Sequence, residues 1–284
     1  MTTNTPLRST TRGDVPPEGP LRLGGIDLPA GLHVRPADDD ADFDAVAAVS
    51  DAPPCAWVTE EAVETELVQQ WVRHLASRFG DTGLWPIAVT GYDDGLERPW
   101  GSGEVLGPDE GSDFDVEAFL LSPGELDGVE DPEIVAYLES IAPIATVREL
   151  GGPVAAPPAG PQDLLVPWGD ARPVALALIP ATSPADALTT LGWLGPANYD
   201  LEGAAIARIA VSWEERYHLT PVGIDFDQLM LQMPPRGLSR PEVMSLLAEV
   251  YRVCPDAYEQ GGFPDLAAFV RAVESHPVLG LWWD

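Results

Sequence analysis

Apolar residues recur along much of the chain at the 3.6-residue period of a helix, and elsewhere they gather into short unbroken runs. The clearest helical stretch of the first half is 59–79. There Val63, Leu67, Trp71, Leu75 and Phe79 follow one another at the i, i+4 spacing, with Val68, Val72 and Ala76 beside them, which makes a broad apolar stripe. Thr59 is placed to cap this helix, Glu60, Glu61 and Glu64 lie where the N-terminal dipole favours acids, and Gly80 ends it. A second helix is expected over 131–141, opened at Pro132, with Ile134, Val135, Leu138 and Ile141 on one face. Strands are expected over 26–35 and over 84–90, the latter with Pro86 near its start, where proline costs least.

The second half is more sharply punctuated. The fully apolar run 174–179 reads as a central strand covered on both faces. Ser183-Pro184-Ala185-Asp186 opens a helix that ends at Gly192. Asp200 is placed to cap the next, whose stripe is Ile206, Ile209, Ala210, Trp213 and Tyr217. Residues 221–226 and 229–233 read as antiparallel neighbours. Ser239-Arg240-Pro241-Glu242 has the form of a capping box. It precedes a helix bearing Val243, Leu246, Leu247, Val250 and Cys254, stopped by Pro255. Pro264 opens a last helix with Leu266, Phe269, Val270 and Val273 inward. Strands and helices alternate without the strict beat of a doubly wound sheet. The expected class is therefore α/β or α+β, a mixed β-sheet flanked by helices in two sub-domains.

Composition adds an organisation to this pattern. Residues 1–22 are rich in Thr, Pro and Gly and read as a disordered tail. Residues 23–150 form an acidic N-terminal region, 151–162 a Pro/Gly/Ala linker, and 163–284 a C-terminal domain. Net charge is −31 over 284 residues, and all fifteen basic residues are arginine. Without lysine there is no Schiff-base chemistry and no P-loop lysine. Residues 1–150 carry 30 acids and 8 arginines, against 16 and 7 in 151–284. Such charge makes nucleic acid and anionic membranes poor partners and a cationic protein or ligand a sensible one. Cys55 and Cys254 do not make a disulfide framework, which together with the lack of an apolar signal core suggests a reducing cytoplasm.

Candidate chemistry is thin. The run Asp38-Asp39-Asp40-Ala41-Asp42-Phe43-Asp44 invites a calcium-loop reading, but Phe43 and Val49 stand where such a loop needs Gly and Glu. The plainer reading is a solvated helix start, with acids favoured by the N-terminal dipole. Cys254 sits at a helix C-terminus, where the dipole raises a thiol's pKa and opposes its use as a nucleophile. His33, His74, His218 and His276 belong to no triad motif, Gly101-Ser102-Gly103 lacks the outer residues of a nucleophile elbow, and no Cys or His pair has zinc-ligand spacing. No cofactor or metal is expected. Asp225 and Asp227 would share a face if their strand ran that far, and paired carboxylates there suit acid–base work or a cation; a polar strand end is the plainer reading. In the loop Gly192-Trp193-Leu194-Gly195-Pro196-Ala197-Asn198-Tyr199-Asp200, Trp193 and Tyr199 have no periodicity to explain them. They either cap the core or line a concave site.

These last residues carry a resemblance. Residues from about 163 to 284 resemble the bacterial domain of unknown function 4253 family. The motifs are Gly192-Trp193-Leu194-Gly195-Pro196-Ala197-Asn198-Tyr199, Ser212-Trp213-Glu214-Glu215-Arg216-Tyr217, Gly223-Ile224-Asp225-Phe226-Asp227, Cys254-Pro255-Asp256 and Trp282-Trp283-Asp284. Thr82-Gly83-Leu84-Trp85-Pro86 and Arg98-Pro99-Trp100-Gly101-Ser102-Gly103-Glu104 look like the N-terminal half of actinobacterial members. One departure is Glu249-Val250-Tyr251, where the family pattern has Glu-His-Phe; a histidine catalytic in relatives would be missing here. The resemblance implies a fold but no activity.

Two functions are compatible with these residues. The first is a non-enzymatic acidic binding module, of the immunity or antitoxin type, for a basic protein. The second is an enzyme or small-ligand binder built from Trp193, Asn198, Tyr199, Arg216, Asp225, Asp227 and Asp256, with Arg216 binding a carboxylate or pairing with Asp227. The second requires those side chains to converge on a pocket.

Overall fold

The structure, a computed structural model, describes residues 7–36, 51–92, 95–101, 104–109, 112–122, 132–168 (132–134 as backbone), 174–201 and 203–283. The acidic run from Asp38 to Asp44, Ser102-Gly103 and Asp284 lie outside them.

In chain order, β1 (Gly19–Leu23), β2 (Ile26–Val34) and β3 (Ala56–Thr59) are followed by α1 (Thr65–Ala76), α2 (Phe79–Thr82) and β4 (Leu84–Val89). Next come α3 (Val116–Leu121), α4 (Pro132–Ile141), β5 (Ala175–Pro180), α5 (Asp186–Leu191) and α6 (Ala204–Tyr217). The chain closes with β6 (Thr220–Ile224), β7 (Gln228–Gln232), α7 (Arg240–Val253), α8 (Asp256–Glu259), α9 (Leu266–Ser275) and β8 (Val278–Trp282).

Among the described residues, eight strands form one mixed sheet in the order β1-β2-β3-β5-β4-β6-β7-β8, an α+β fold. Neighbours are antiparallel except β4 and β6, which run parallel and pair at Ala88 with Gly223 and Val89 with Ile224. β4 and β5 are buried along their whole length, as expected of apolar runs covered on both faces. Pro86 is tolerated in this central position because the ladder to β6 begins only at Ala88. β4 comes from the first half of the sequence yet lies between β5 and β6 of the second. The halves therefore interleave in one sheet. Residues 151–162 run as a docked connection, with Gly151 N–H donating to Glu249 and Val154 N–H to the Arg216 carbonyl.

Several boundaries differ from the sequence reading, each for a local reason. Thr59 ends β3 instead of capping α1, and its Oγ1 accepts from the Leu176 amide. Asp200 takes φ +54° at the end of a 3-10 turn over Ala197–Tyr199, and Gly203 stands at the head of α6. β8 pairs antiparallel with β7 in a segment too short for its alternation to stand out. The capping box at Ser239 is present, with Glu242 accepting from the Ser239 amide at 2.6 Å.

The disordered tail expected over 1–22 is corrected for the residues described. Gly19–Leu23 is a strand, and residues 7–13 lie against the body of the protein. Ser9 N–H donates to the Thr182 carbonyl and Gly13 N–H to that of Gly83. Arg8 pairs with Glu214 at 2.8 Å, and Arg12 forks onto both oxygens of Asp186 at 2.6 and 3.0 Å. Burial pushes the Asp186 carboxyl up, and the hydrogen bonds from Arg12 and Thr182 outweigh it, so its pKa is lowered. That contribution is present above the usual carboxylate range and lost as pH falls through it. Arg12→Ala is expected to cost about 1.5–2 kcal/mol, the low end for a hydrogen bond to a charged group because Arg12 is partly exposed, and to speed limited proteolysis within residues 7–18. An unchanged cleavage rate would show that the backbone bonds alone hold the segment.

Candidate functional site

Because β4 and β6 run side by side in one direction, both release their chains at the same end of the sheet, after Val89 and Ile224. In open sheets, ligands lodge beyond the carboxyl ends of parallel strands. Three loops meet there. The first follows β4 and carries Tyr92 and then Arg98, Pro99 and Trp100, the Arg98–Pro99 peptide being cis. Trp100 is buried and its indole N–H donates to the Thr90 carbonyl at 2.6 Å, folding the loop back over the strand end. The second is the 193–200 loop. The third is Asp225-Phe226-Asp227, where β6 turns toward β7.

Main-chain bonds stitch the first loop to the second. Val105 and Trp193 form an isolated antiparallel bridge, Leu106 N–H donates to the Gly192 carbonyl and Gly107 N–H to that of Leu191. Trp193 is fully buried beneath the second loop, with its N–H on the Asp225 carbonyl at 3.0 Å and its ring edge-on to Trp283. Gly195 has to be glycine, since a Cβ there would stand 1.9 Å from the Trp193 ring.

The three loops and Trp283 enclose a cleft of about 340 Å³. Its chemistry comes from Tyr92, Arg98, Glu104, Asn198, Phe226 and Asp227. The Arg98 guanidinium lies 4.7 Å from the centre of the Phe226 ring and 5.5 Å from that of Tyr92, and the two rings meet edge to face. Arg98 Nε donates to Glu104 Oε1 at 2.7 Å, and Nη2 donates to the same oxygen. This contact pushes the Arg98 pKa above its usual range. Glu104 Oε2 is buried and has no hydrogen-bond partner among the described residues. The cleft thus offers two aromatic faces, one guanidinium and two carboxylates, the combination of apolar walls and a few placed polar groups that a small-molecule site needs.

The seven residues singled out from the sequence do not converge. Asn198 and Asp227 line the cleft; Asp227 Oδ2 also accepts from the Trp282 indole at 3.0 Å. Trp193 and Asp225 lie beneath it. Asp225 is buried and accepts from the Phe226 amide, because the strand stops at Ile224 and turns, so the two carboxylates do not share a strand face. Tyr199 points away, donating to Asp256 Oδ2 at 2.5 Å, and Asp256 also accepts from Gln260. Burial first, and then the Asp256 contact, push the Tyr199 phenol up.

Arg216 does not pair with Asp227 but forks onto the fully buried Glu249, at 2.6 Å to each oxygen. The same carboxylate accepts from the Trp213 indole, the Tyr217 hydroxyl and the Gly151 amide. The Trp213–Tyr217 motif and the Glu249 segment are therefore one buried joint between α6 and α7. Val250 is wholly buried in the core. The Cys254 thiol donates to the Trp282 carbonyl, and burial pushes its pKa up to about 12, both of which oppose a thiolate there. Sequence reasoning missed Tyr92, Arg98, Glu104, Phe226 and Trp283 as a set. The available signal was the 98–104 motif, which shares with the 193–200 loop the trait of aromatic residues without periodicity.

Residues 175–284 match the family described as Domain of unknown function (DUF4253). No curated protein and no solved structure matches the chain. The matched segment opens at the first residue of β5 and carries one wall of the cleft, namely Asn198, Phe226, Asp227 and Trp283. The other lining residues Tyr92, Arg98 and Glu104 lie outside the match. The cleft is thus completed by residues that the matched family segment does not include.

Proposed function

We propose that the protein binds a small molecule in the cleft at the carboxyl ends of β4 and β6. The observation that carries this reading is the convergence there of three segments far apart in sequence, each bringing a polar or aromatic side chain to one concavity. The core does not need Arg98 and Glu104 at its surface, and packing does not explain the exposed Asn198. The carboxylates and Tyr92 leave room for acid–base chemistry on a bound molecule, and binding is the part the geometry supports best.

Ala197 lines the cleft and is exposed, so Ala197→Trp fills the cleft without touching the core. Ligand-observed NMR with a fragment set is expected to give hits of about millimolar affinity, near −4 kcal/mol, that vanish with Ala197→Trp. A fragment set showing no hit sensitive to that substitution would sink the reading.

Association with a basic protein is a second reading, supported by the net charge of −31 and its excess over residues 1–150. It places the protein in the cytoplasm, in keeping with two cysteines that are both unpaired and buried. Among the described residues no helix is long and apolar enough to cross a membrane. Capture of a partner whose association rate falls steeply with salt is the expected result; a salt-insensitive rate would count against it.

A further inference from the structure

We propose that the ligand of the cleft is a small organic cation, an amidine, guanidine or amine, whose N–H groups donate to Glu104 and whose body lies against Phe226 and Tyr92. This rests on the reading of the cleft as a ligand site and adds the chemical class.

Three observations point the same way. Both Arg98 donors that reach Glu104 go to Oε1, so Oε2 stays buried with no partner among the described residues. Oε2 is closed to solvent, so a ligand N–H reaches Glu104 at Oε1, in the place that Arg98 holds. The aromatic wall is already set for a flat cation. Arg98 occupies it at 4.7 and 5.5 Å from the two ring centres, inside the distance at which a cation is drawn to an aromatic face. A second cation can take that place by displacing Arg98, whose side chain is 46 % exposed while that of Glu104 is 16 % exposed. Finally, Glu104 and Asp227 outnumber Arg98 in the cleft, and a protein of charge −31 gathers cations from solution. An anion would have to draw Arg98 away from Glu104 and would then face Asp227.

Benzamidine, benzamide and benzoate share a ring and differ in charge and donors, so they separate the possibilities. Titrated by NMR against the full chain, benzamidine is expected to bind about tenfold or more tightly than either of the others, a difference of 1.4 kcal/mol. E104Q keeps the shape and one oxygen and is expected to remove that preference while its melting midpoint stays near the parent's. Phe226→Leu, which keeps an apolar wall, is expected to weaken benzamidine selectively. Benzamide or benzoate binding as well as benzamidine, with sensitivity to Ala197→Trp, overturns the cation inference and leaves the ligand-site reading standing. Loss of A197W-sensitive binding by all three overturns the inference, and the broader fragment set then decides the reading itself. Benzamidine binding unchanged in E104Q overturns the role given to Glu104.

Discussion

Glu249→Ala is expected to destabilise the protein by about 3–5 kcal/mol, the usual cost of breaking a buried ion pair by removing one partner. Glu249 is completely buried and accepts from five donors: two of Arg216, and one each of Trp213, Tyr217 and Gly151. The substitution leaves a guanidinium that is only 13 % exposed with no counter-charge, besides a stranded indole N–H and a stranded phenol. Arg216 keeps its bonds to the Gly151 carbonyl and to Ser212 Oγ, which are neutral and weaker. For a chain of this size the melting midpoint should fall by roughly 10 °C.

The intact pair is a different quantity. Desolvation of both charges offsets much of their attraction, so replacing the two together by apolar residues is expected to cost far less than either single change. Thermal or urea unfolding of Glu249→Ala, Arg216→Leu and the double variant forms a cycle that measures this. Additive losses would show that the two side chains act independently and would overturn the description of α6, α7 and the 151–154 connection as one joint.

That joint also shows what the sequence could and could not convey. The periodic helices were legible because burial imposes a period: the stripes of α6, α7 and α9 predicted their inward faces, and the apolar run 174–179 predicted β5 as a central strand. Termini failed where a residue had two uses. Thr59 has a cap's chemistry, and its hydroxyl bonds the neighbouring strand instead. Asp200 has a cap's position but sits in a left-handed turn. The site was legible only as motifs. Arg216 and Arg98 are both arginines in short strings of aromatic and acidic residues; nothing local tells that one is locked onto Glu249 in the interior and the other stands at a cleft mouth. The difference arises from sheet order, because β4 inserts between β5 and β6 and so brings residues near 98 beside residues near 195 and 226. A non-consecutive strand order of that kind has no signature in local pattern.

Stability is expected to decline once pH rises past about 9, the ordinary thiol value, because burial pushes both Cys55 and Cys254 up to about 12. Between those values the unfolded chain gives up its thiol protons while the folded chain keeps them. The unfolded state then binds fewer protons, and unfolding free energy falls with pH. Each thiol contributes about 1.4 kcal/mol per pH unit across that window. The contribution is fully present below the unfolded pKa and lost by the folded one. Tyr217, wholly buried, is pushed up in the same direction by burial and then by Glu249, and steepens the decline above the usual phenol range. Urea unfolding between about pH 8 and 11 should show the slope, and the Cys55→Ala, Cys254→Ala double variant should flatten its first part. Native thiols should meanwhile resist a disulfide reagent that labels the unfolded chain at once, since neither sulfur is exposed and neither is a thiolate. A flat profile above pH 9, or an equal slope in the double variant, would mean that the thiols ionise as readily inside the protein as outside it, and that Cys254 is available for chemistry after all.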